Sequence, residues 1–317
     1  MIRRAAATAG LPPPPLASPV AVRRLALSVS RRLDGLLQGE HLGHLPGPGT
    51  EPAEARAYSP GDDVRRMDWA VTARTGEPHV RQAVAERELE TTLLVDLTAS
   101  MSFGTARSEK RDVAIALAAA VGHLAARPGD RLGAVVLSDA VRRLPVRAGS
   151  SAVLALLHVL MSTRPVEGAG PALEQGLQAL AQPPRRRGLV VVISDLLGPV
   201  GSPLPWAAPL RQLALRHDVV VAEVVDPREL ELPSVGTLRL VDPESGRTLE
   251  VPTGDRRVRE RYAAAAAQRR AGVAAAVRAA GAGHLVVRTD ADWLPALAAH
   301  LAQRRRTRAA GRRTGGR

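Results

Sequence analysis

The stretch LLVDLTASMSFG, residues 93–104, is an apolar run that ends at Asp96 and continues with hydroxyl side chains at Thr98, Ser100 and Ser102. The apolar run is typical of a buried strand. The polar residues after it have two interpretations. They satisfy free backbone N–H groups in a capped turn, or they supply the oxygen ligands that a hard divalent cation prefers. The rest of the chain is needed to choose between them.

Short apolar runs alternate with segments of helical pattern from residue 91 onwards. The apolar runs carry hydrophobic residues on both faces, which predicts an α/β fold with a mostly parallel sheet and helices on both faces. The tight connection at Asp139-Ala140 is too short to join parallel neighbours, so one strand is expected to run antiparallel. Two alternating runs around residues 244–246 predict a hairpin.

Two of the apolar runs end in an aspartate, Asp96 in LLVD and Asp195 in VISD. Ligand sites in α/β sheets form at the carboxyl ends of the strands. We therefore expect Asp96 and Asp195 to lie close together, which favours a binding site over a simple capped turn.

Cysteine is absent from the 317 residues, which excludes disulfides and thiolate metal sites and predicts a reducing compartment, here the cytoplasm. The hydrophobic content of 45% is enough for one large domain or two small ones. No apolar run approaches the roughly 20 residues that a membrane span needs, and no secretory leader is visible.

The net charge of +13 is concentrated at the two ends of the sequence. Six arginines lie within residues 1–33 and seven within residues 304–317, with no acidic residue in either segment. The residues between them carry as many acidic as basic groups, and only 2% of the chain is aromatic. A nucleic-acid enzyme would carry basic and stacking side chains on its body, so we expect no specific nucleic-acid partner.

Four regions are predicted from these patterns. They are a disordered lead (1–17), a helix with an extension (18–90), an α/β domain (91–303) and an arginine-rich disordered tail (304–317). Ser18-Pro19 is typical of a helix start and Gly39 of a helix end. One face of this helix is apolar and the other carries arginines, so it either packs on the domain or lies on a membrane surface.

Enzymes that use an aspartate at a strand end need further catalytic residues or motifs at set positions in the sequence. This chain does not provide them at those positions. A phosphate-transferring hydrolase of the haloacid dehalogenase type needs a downstream lysine. Lys110, the only lysine in the chain, lies too soon after Asp96 and inside the next predicted helix. No GxxxxGK[ST] loop and no GxSxG elbow is present. A hydrolase that uses Asp96, Asp195 and a divalent ion stays as the alternative to a binding function.

A second polar segment lies upstream, RAYSPGDDVRRMDWAVTAR at residues 56–74, and its polar residues follow neither a helical nor a strand period. Its aspartates and arginines have two interpretations, an interlocked ion-pair network that holds the segment on the domain or a recognition surface. In the network, Trp69 is expected to be largely buried, and Asp68 is expected to pair with Arg65 or Arg74.

The polar pattern after the first strand resembles the metal-ion-dependent adhesion site of von Willebrand factor A domains. The matching residues are Asp96, Thr98, Ser100 and, at a later strand end, Asp195. The resemblance implies that the hydroxyls bind Mg²⁺ directly, that Asp195 helps through water, and that a partner's carboxylate takes an open position. The family's threonine ligand has no counterpart, because the expected place holds Gly170 or Pro171.

The upstream segment together with this motif is similar to domain-of-unknown-function family 58, a bacterial group with a von Willebrand factor A-like domain. The family stretch R-x-Y-x-P-G-D-D-x-R-x-I-D-W-x-x-x-A-R is reproduced at Arg56, Tyr58, Pro60, Gly61, Asp62, Asp63, Arg65, Asp68, Trp69, Ala73 and Arg74, with Met67 for the isoleucine. An earlier family stretch survives only as Gly39, His41, Gly49 and Glu51.

This resemblance implies a von Willebrand factor A-like fold and a cytoplasmic partner of AAA+ ATPases of the MoxR type, acting in the assembly or maturation of other proteins. It names no client protein. We therefore expect a protein-binding module rather than an enzyme, with the upstream segment serving as a partner-binding or structural signature.

Overall fold

A computed structural model of the chain describes residues 19–39, 55–60, 62–81, 90–126, 129–166, 168–182, 187–198, 204–300 and 303. The predicted lead and tail, Gly61 and the earlier family stretch at His41, Gly49 and Glu51 lie outside these residues. Contacts divide the chain into one unit of Met1–Leu36 and Leu89–Arg317 and a second of Leu37–Glu88. We call them the sheet unit and the signature unit and describe each by itself.

The first helix, α1 (Pro19–Gly39), is the one that the sequence predicts. Its residues Val22, Val29 and Leu33 are buried and join the apolar core of the sheet unit. Packing on the domain is therefore the correct interpretation of its amphipathic pattern. The predicted extension, residues 18–90, is consequently divided between the two units.

The signature unit consists of short elements. Strands β1 (Ala55–Ala57) and β2 (His79–Arg81) pair antiparallel, and helix α2 (Trp69–Thr75) precedes β2. The sequence shows no helical period here because α2 is only seven residues long and its ends are set by capping. Asp68 caps the first turn, and Gly76 ends the helix with a left-handed backbone at φ 76°.

The strands of the sheet unit are β3 (Glu90–Asp96), β4 (Arg131–Leu137), β5 (Val141–Ala148), β6 (Leu189–Ser194), β7 (Asp218–Val225), β8 (Thr237–Val241), β9 (Thr248–Pro252) and β10 (Gly283–Arg288). Six of them form the central sheet in the order β10-β7-β6-β3-β4-β5. All neighbours in this sheet pair parallel except β4 and β5. The antiparallel strand follows the turn at Asp139-Ala140, as predicted. The expected α/β class is confirmed, and β3 lies next to β6.

The helices of the sheet unit after α1 are α3 (Lys110–Leu124), α4 (Ser150–Ser162), α5 (Leu173–Ala181), α6 (Ala207–Arg216), α7 (Arg256–Ala279) and α8 (residues 294–300). α1, α3, α4 and α8 cover one face of the sheet, and α5, α6 and α7 cover the other. Leu93 and Val95 of β3 enter the first core and Leu94 enters the second. Burial on both faces explains the continuous apolar runs.

Strands β8 and β9 form a separate antiparallel hairpin where the sequence predicts one. In its turn, the Gly246 N–H donates to the Asp242 carbonyl at 2.9 Å. At its base, the Thr253 hydroxyl donates to the Gly236 carbonyl at 2.9 Å, and Arg259 donates to the Thr253 carbonyl at 2.6 Å. Most of its side chains are exposed.

Within the described residues, the structure contains no helix of the length and hydropathy that crossing a membrane requires.

Candidate functional site

Asp96 ends β3 and holds the loop that follows it. Its Oδ1 accepts hydrogen bonds from the backbone N–H of Thr98 at 3.0 Å and from the Thr98 hydroxyl at 2.6 Å. Its Oδ2 accepts a third bond from the Ser194 hydroxyl at 2.7 Å, on the neighbouring strand β6. Asp96 thus caps the turn, and it also fixes the position of the Thr98 hydroxyl.

The hydroxyls of Thr98 and Ser100 lie side by side, with their oxygen atoms 3.5 Å apart. Ser100 lies in a 3₁₀ turn, Ala99–Met101, that follows Thr98. Both side chains are buried. Because the Thr98 hydroxyl gives its proton to Asp96, its oxygen keeps acceptor capacity for another ligand. The three residues of the predicted motif therefore converge at the end of β3.

Asp195 follows β6 and lies in the same buried region as Asp96. Its Oδ1 accepts from the Leu197 N–H at 3.0 Å, and its Oδ2 accepts from Lys110 Nζ at 2.6 Å. Burial, followed by the negative charge of Asp195, raises the pKa of Asp96. The two carboxylates therefore repel each other, as expected for two like charges at the ends of neighbouring strands.

Lys110 is a site residue that the sequence reasoning missed. Its ammonium group is fully buried and also contacts Glu229 Oε1 at 2.5 Å. Burial acts to lower the pKa of Lys110, but the charges of Asp195 and Glu229 outweigh burial and raise it. Burial is the main cause that raises the pKa of Glu229. The available signal was composition, since Lys110 is the only lysine among 44 basic residues.

Asp226, at the end of β7, extends this buried polar network toward β10. Its carboxylate accepts bonds from the Thr105 N–H at 2.9 Å, the Thr105 hydroxyl at 2.6 Å and the Thr289 hydroxyl at 2.8 Å. Burial acts to raise the pKa of Asp226, but the hydrogen bonds from Thr105, the Arg228 N–H and Thr289 together outweigh burial and lower it. The Asp226 N–H in turn donates to Glu229 Oε2 at 3.1 Å. The network therefore joins the loop before α3 to the ends of two strands.

Gly170, one of the two candidates for the position of the family's missing threonine, lies against the site. A Cβ atom at Gly170 would lie 2.8 Å from the Ser138 carbonyl oxygen and 3.1 Å from Thr98 Cγ2. A threonine would therefore not fit without movement of the backbone. Thr163, which lies near in sequence, donates its hydroxyl to the Val159 carbonyl at the end of α4. Neither position supplies a third hydroxyl to the site.

The hydroxyl and carboxylate side chains at the strand ends are oxygen donors of the type that a hard divalent cation prefers, with one direct ligand fewer than the adhesion site has. Asp96, Asp195 and Glu229 bring three carboxylates, and Lys110 brings one compensating positive charge. Excess negative charge in a buried site is costly unless a cation or a proton neutralises it. Among the described residues, no group of three His, Cys, Asp or Glu side chains is placed to hold a metal ion. The hydroxyls of Thr98 and Ser100 would therefore be essential ligands.

The signature residues that the structure describes shape the backbone of their own unit. Arg56 lies in β1 opposite Val80 of β2, and the Tyr58 N–H donates to the Pro78 carbonyl at 2.8 Å. Three aspartates close turns by accepting hydrogen bonds from backbone N–H groups. The donors and acceptors are Ser59 N–H to Asp62 at 2.9 Å, Arg65 N–H to Asp63 at 3.0 Å, and the N–H groups of Ala70 and Val71 to Asp68 at 3.1 Å each. These carboxylates thus serve as local caps.

The expectation that Trp69 is largely buried is wrong, because its side chain is 68% exposed. Asp68 caps α2, which places Trp69 at the first position of a helix that buries none of its residues. Arg65 and Arg74 are exposed as well. The pairing of Asp68 with one of these arginines stays a prediction. An exposed tryptophan favours the recognition-surface interpretation of this segment.

The sheet order, the one antiparallel edge strand and the helices on both faces define a von Willebrand factor A-like α/β protein with a polar site at the strand ends. The family model described as "Protein of unknown function DUF58" matches residues 54–272, and the chain belongs to this family. This agrees with the resemblance seen in the signature segment.

Relatives of this chain occur among mycobacterial proteins. "Uncharacterized protein Rv1480" of Mycobacterium tuberculosis (strain ATCC 25618 / H37Rv) is 50% identical over 293 residues, which are 92% of this chain and 91% of that protein. "Uncharacterized protein MAV169" of Mycobacterium avium is 43% identical over 158 residues, which are 50% of this chain and 90% of that protein.

Similar solved structures include BatB from Bacteroides thetaiotaomicron, with a TM-score of 0.42 and 18% identity over 68% of this chain and 98% of that one. The SpRpn10 VWA domain has a TM-score of 0.39 and 11% identity over 66% of this chain and 92% of that one.

Proposed function

We propose that this protein is a non-catalytic, cytoplasmic protein-binding module that acts as an adaptor for a MoxR-type AAA+ ATPase in the assembly or maturation of other proteins. The observation that carries the proposal is the convergence of Asp96, Thr98 and Ser100 beside Asp195, at the carboxyl ends of β3 and β6. Membership of the family adds the expectation of the ATPase partner.

In this proposal, Mg²⁺ is held by the hydroxyls of Thr98 and Ser100, while Asp96 orients the Thr98 hydroxyl. Asp195 contributes its charge through water, because both of its oxygens already accept hydrogen bonds. A bound Mg²⁺ supplies an open coordination position that suits a carboxylate of the partner. Lys110 keeps Asp195 fixed by a charge-assisted hydrogen bond.

The signature unit by itself carries exposed side chains that suit the binding of a partner. Trp69 and Val64 are 68% and 60% exposed, and Arg65 and Arg74 are exposed on the same unit. Tryptophan and arginine are enriched in protein interfaces and at their hot spots. The arginine-rich tail, residues 304–317, is proposed to attract acidic surfaces, so its removal should change mainly the salt dependence of association.

The alternative function is a divalent-metal-dependent hydrolase that uses Asp96 and Asp195. All four carboxylate oxygens of these residues already accept hydrogen bonds. This arrangement suits carboxylates that hold other groups in place better than a carboxylate that attacks a substrate. Hydrolysis of p-nitrophenyl phosphate that Asp96→Ala abolishes would favour the hydrolase.

A pull-down tests the proposed function directly. The full chain should capture the MoxR-type ATPase whose gene lies beside its own, in buffer with millimolar Mg²⁺. Asp96→Ala should reduce the capture, while Glu260→Ala, which removes an exposed carboxylate on α7, should leave it unchanged. No capture by the wild-type chain would contradict the proposal.

A further inference from the structure

The tip of the β8–β9 hairpin contacts the loop that precedes α5. The backbone N–H of Gly168 donates to the carbonyl of Pro243, in the hairpin turn, at 3.2 Å. A Cβ atom at Gly168 would lie 3.9 Å from the Glu244 carbonyl oxygen. Gly168 has a φ of 86°, a conformation that favours glycine. The hairpin tip is therefore attached to the loop before α5.

This loop connects the hairpin tip to the hydroxyls of the site. Gly170 lies two residues after Gly168, and the absence of a side chain there lets the backbone approach Thr98 and the Ser138 carbonyl. The contacts thus run from Pro243 through the loop to Thr98, the first hydroxyl of the site. Movement of the hairpin tip away from Gly168 would uncover this loop.

Glu244 lies in the turn of this hairpin, next to Pro243, and its carboxylate is influenced by the negative charges of the site. Burial, then the charge of Asp242, and then the charges of Asp195 and Asp96 raise the pKa of Glu244. The Glu244 residue as a whole is exposed, although the chain around its carboxylate shields that group partly from water. The same negative charge that attracts a cation thus acts on Glu244, and a bound cation would turn this repulsion into attraction.

The hairpin is fixed at its base and lightly held at its tip. The base is anchored by Thr253 on the Gly236 carbonyl and by Arg259 on the Thr253 and Gly254 carbonyls. The strands β8 and β9 expose most of their residues. A two-stranded hairpin with little buried apolar surface is only marginally stable by itself. Such a hairpin can bend away at its tip while its base stays in place.

We propose that the β8–β9 hairpin is an autoinhibitory cover of the candidate site. Its turn carries the Glu244 carboxylate, the chemical group that the proposed function assigns to the partner, and is attached through Gly168 to the loop that lies against Thr98. The partner therefore has to displace the hairpin tip before it docks. This inference rests on the proposed function, because the competition concerns the same site.

Affinity for the ATPase tests the competition. A cover that is closed for four-fifths of the time weakens the apparent affinity about fivefold. Glu244→Gln removes the competing charge and should therefore strengthen the binding of the ATPase about fivefold in millimolar Mg²⁺. The matched control is Glu250→Gln, an exposed residue of β9 in the same hairpin, which should bind like the wild type. Equal or weaker binding by Glu244→Gln overturns the competition.

Hydrogen exchange of the protein without any partner tests the cover independently. Thr237 and Pro252 pair at the base of the hairpin, so residues 238–251 can be replaced by Asn-Gly to form a short turn. The backbone amides of residues 98–102 are then expected to exchange faster than in the wild-type chain, with circular dichroism confirming the fold. The N–H groups of Thr98, Met101 and Ser102 donate to acceptors outside the hairpin, so faster exchange of these amides would report uncovering.

Unchanged exchange at residues 98–102 would overturn the cover, whether or not an ATPase binds. A different result would be that no variant captures the ATPase while residues 98–102 exchange faster in the shortened chain. The proposed function would then be wrong, and the hairpin would still be shown to cover the site.

Discussion

Lys110 Nζ lies 2.6 Å from Asp195 Oδ2, and both side chains are excluded from solvent. The same ammonium group lies 2.5 Å from Glu229 Oε1, so one positive charge serves two buried carboxylates. A lysine ammonium is compact and can donate in three directions, whereas a guanidinium is planar and wider. This difference gives a physical reason for a single lysine in a chain whose other basic residues are all arginine.

Replacement of Lys110 by methionine should destabilise the protein strongly. Removal of one partner of a buried ion pair typically costs about 3–5 kcal/mol, because it leaves an uncompensated charge in the interior. Urea denaturation of Lys110→Met and the wild type measures this difference. The double variant Lys110→Met, Glu229→Gln should recover part of the loss. A single variant within about 1 kcal/mol of the wild type would contradict the role of Lys110.

The pH dependence of stability should reveal the hydrogen bonds of Asp226. Its pKa lies below the usual value of 3.8 in the folded protein, so the folded state loses stability as pH falls through the folded-state pKa. This contribution is fully present above pH 3.8. Asp226→Asn should therefore destabilise the protein at neutral pH, and the difference from the wild type should shrink as the pH falls below 3.8. A difference that is independent of pH would contradict the ionised state of Asp226.

Mg²⁺ should stabilise the wild-type protein but not variants of the site. A ligand at 100 times its dissociation constant stabilises the folded state by about 2.7 kcal/mol, which is a shift of several degrees for a chain of this size. Thermal melts with millimolar Mg²⁺ and with chelator measure the shift. Ser100→Ala should reduce it, and Ser151→Ala, an exposed serine of α4, should not. Identical melts of the wild type in Mg²⁺ and in chelator would contradict Mg²⁺ binding.

Trp69→Ala should separate recognition from stability. An exposed side chain away from capping and buried networks usually contributes within about 0.5 kcal/mol, so the variant should unfold like the wild type. Its binding to the ATPase should nevertheless weaken, because exposed tryptophans commonly dominate interface energetics. Chemical denaturation and a binding titration on the same samples measure both. A large loss of stability would show that Trp69 has a structural role instead.

The fold could be predicted because its signals are local and repeat along the chain. Apolar runs such as residues 189–194 report burial on both faces, and the short connection at Asp139-Ala140 allows only an antiparallel pair. The convergence of Asp96 and Asp195 followed from one rule about the carboxyl ends of parallel strands. These expectations need no knowledge of distant side chains.

The network around Lys110 could not be predicted in the same way, because it depends on distant contacts. Lys110 contacts Glu229, which lies 119 positions later in the chain, and no local pattern indicates this pair. Trp69 was misjudged for a related reason, since a conspicuous aromatic residue indicates either a core or a surface role. Only the position of Trp69 at the start of a short, exposed helix separates these roles.

One measurement tests most directly whether a MoxR-type ATPase binds at the carboxyl ends of β3 and β6. It is the dissociation constant of the complex, compared between the wild type, Asp96→Ala and Glu260→Ala. Circular dichroism should first show that both variants are folded. We expect Asp96→Ala to weaken binding by about tenfold or more, which corresponds to about 1.4 kcal/mol, and Glu260→Ala to bind like the wild type. Equal affinities for Asp96→Ala and the wild type would show that the ATPase does not bind at the carboxyl ends of β3 and β6.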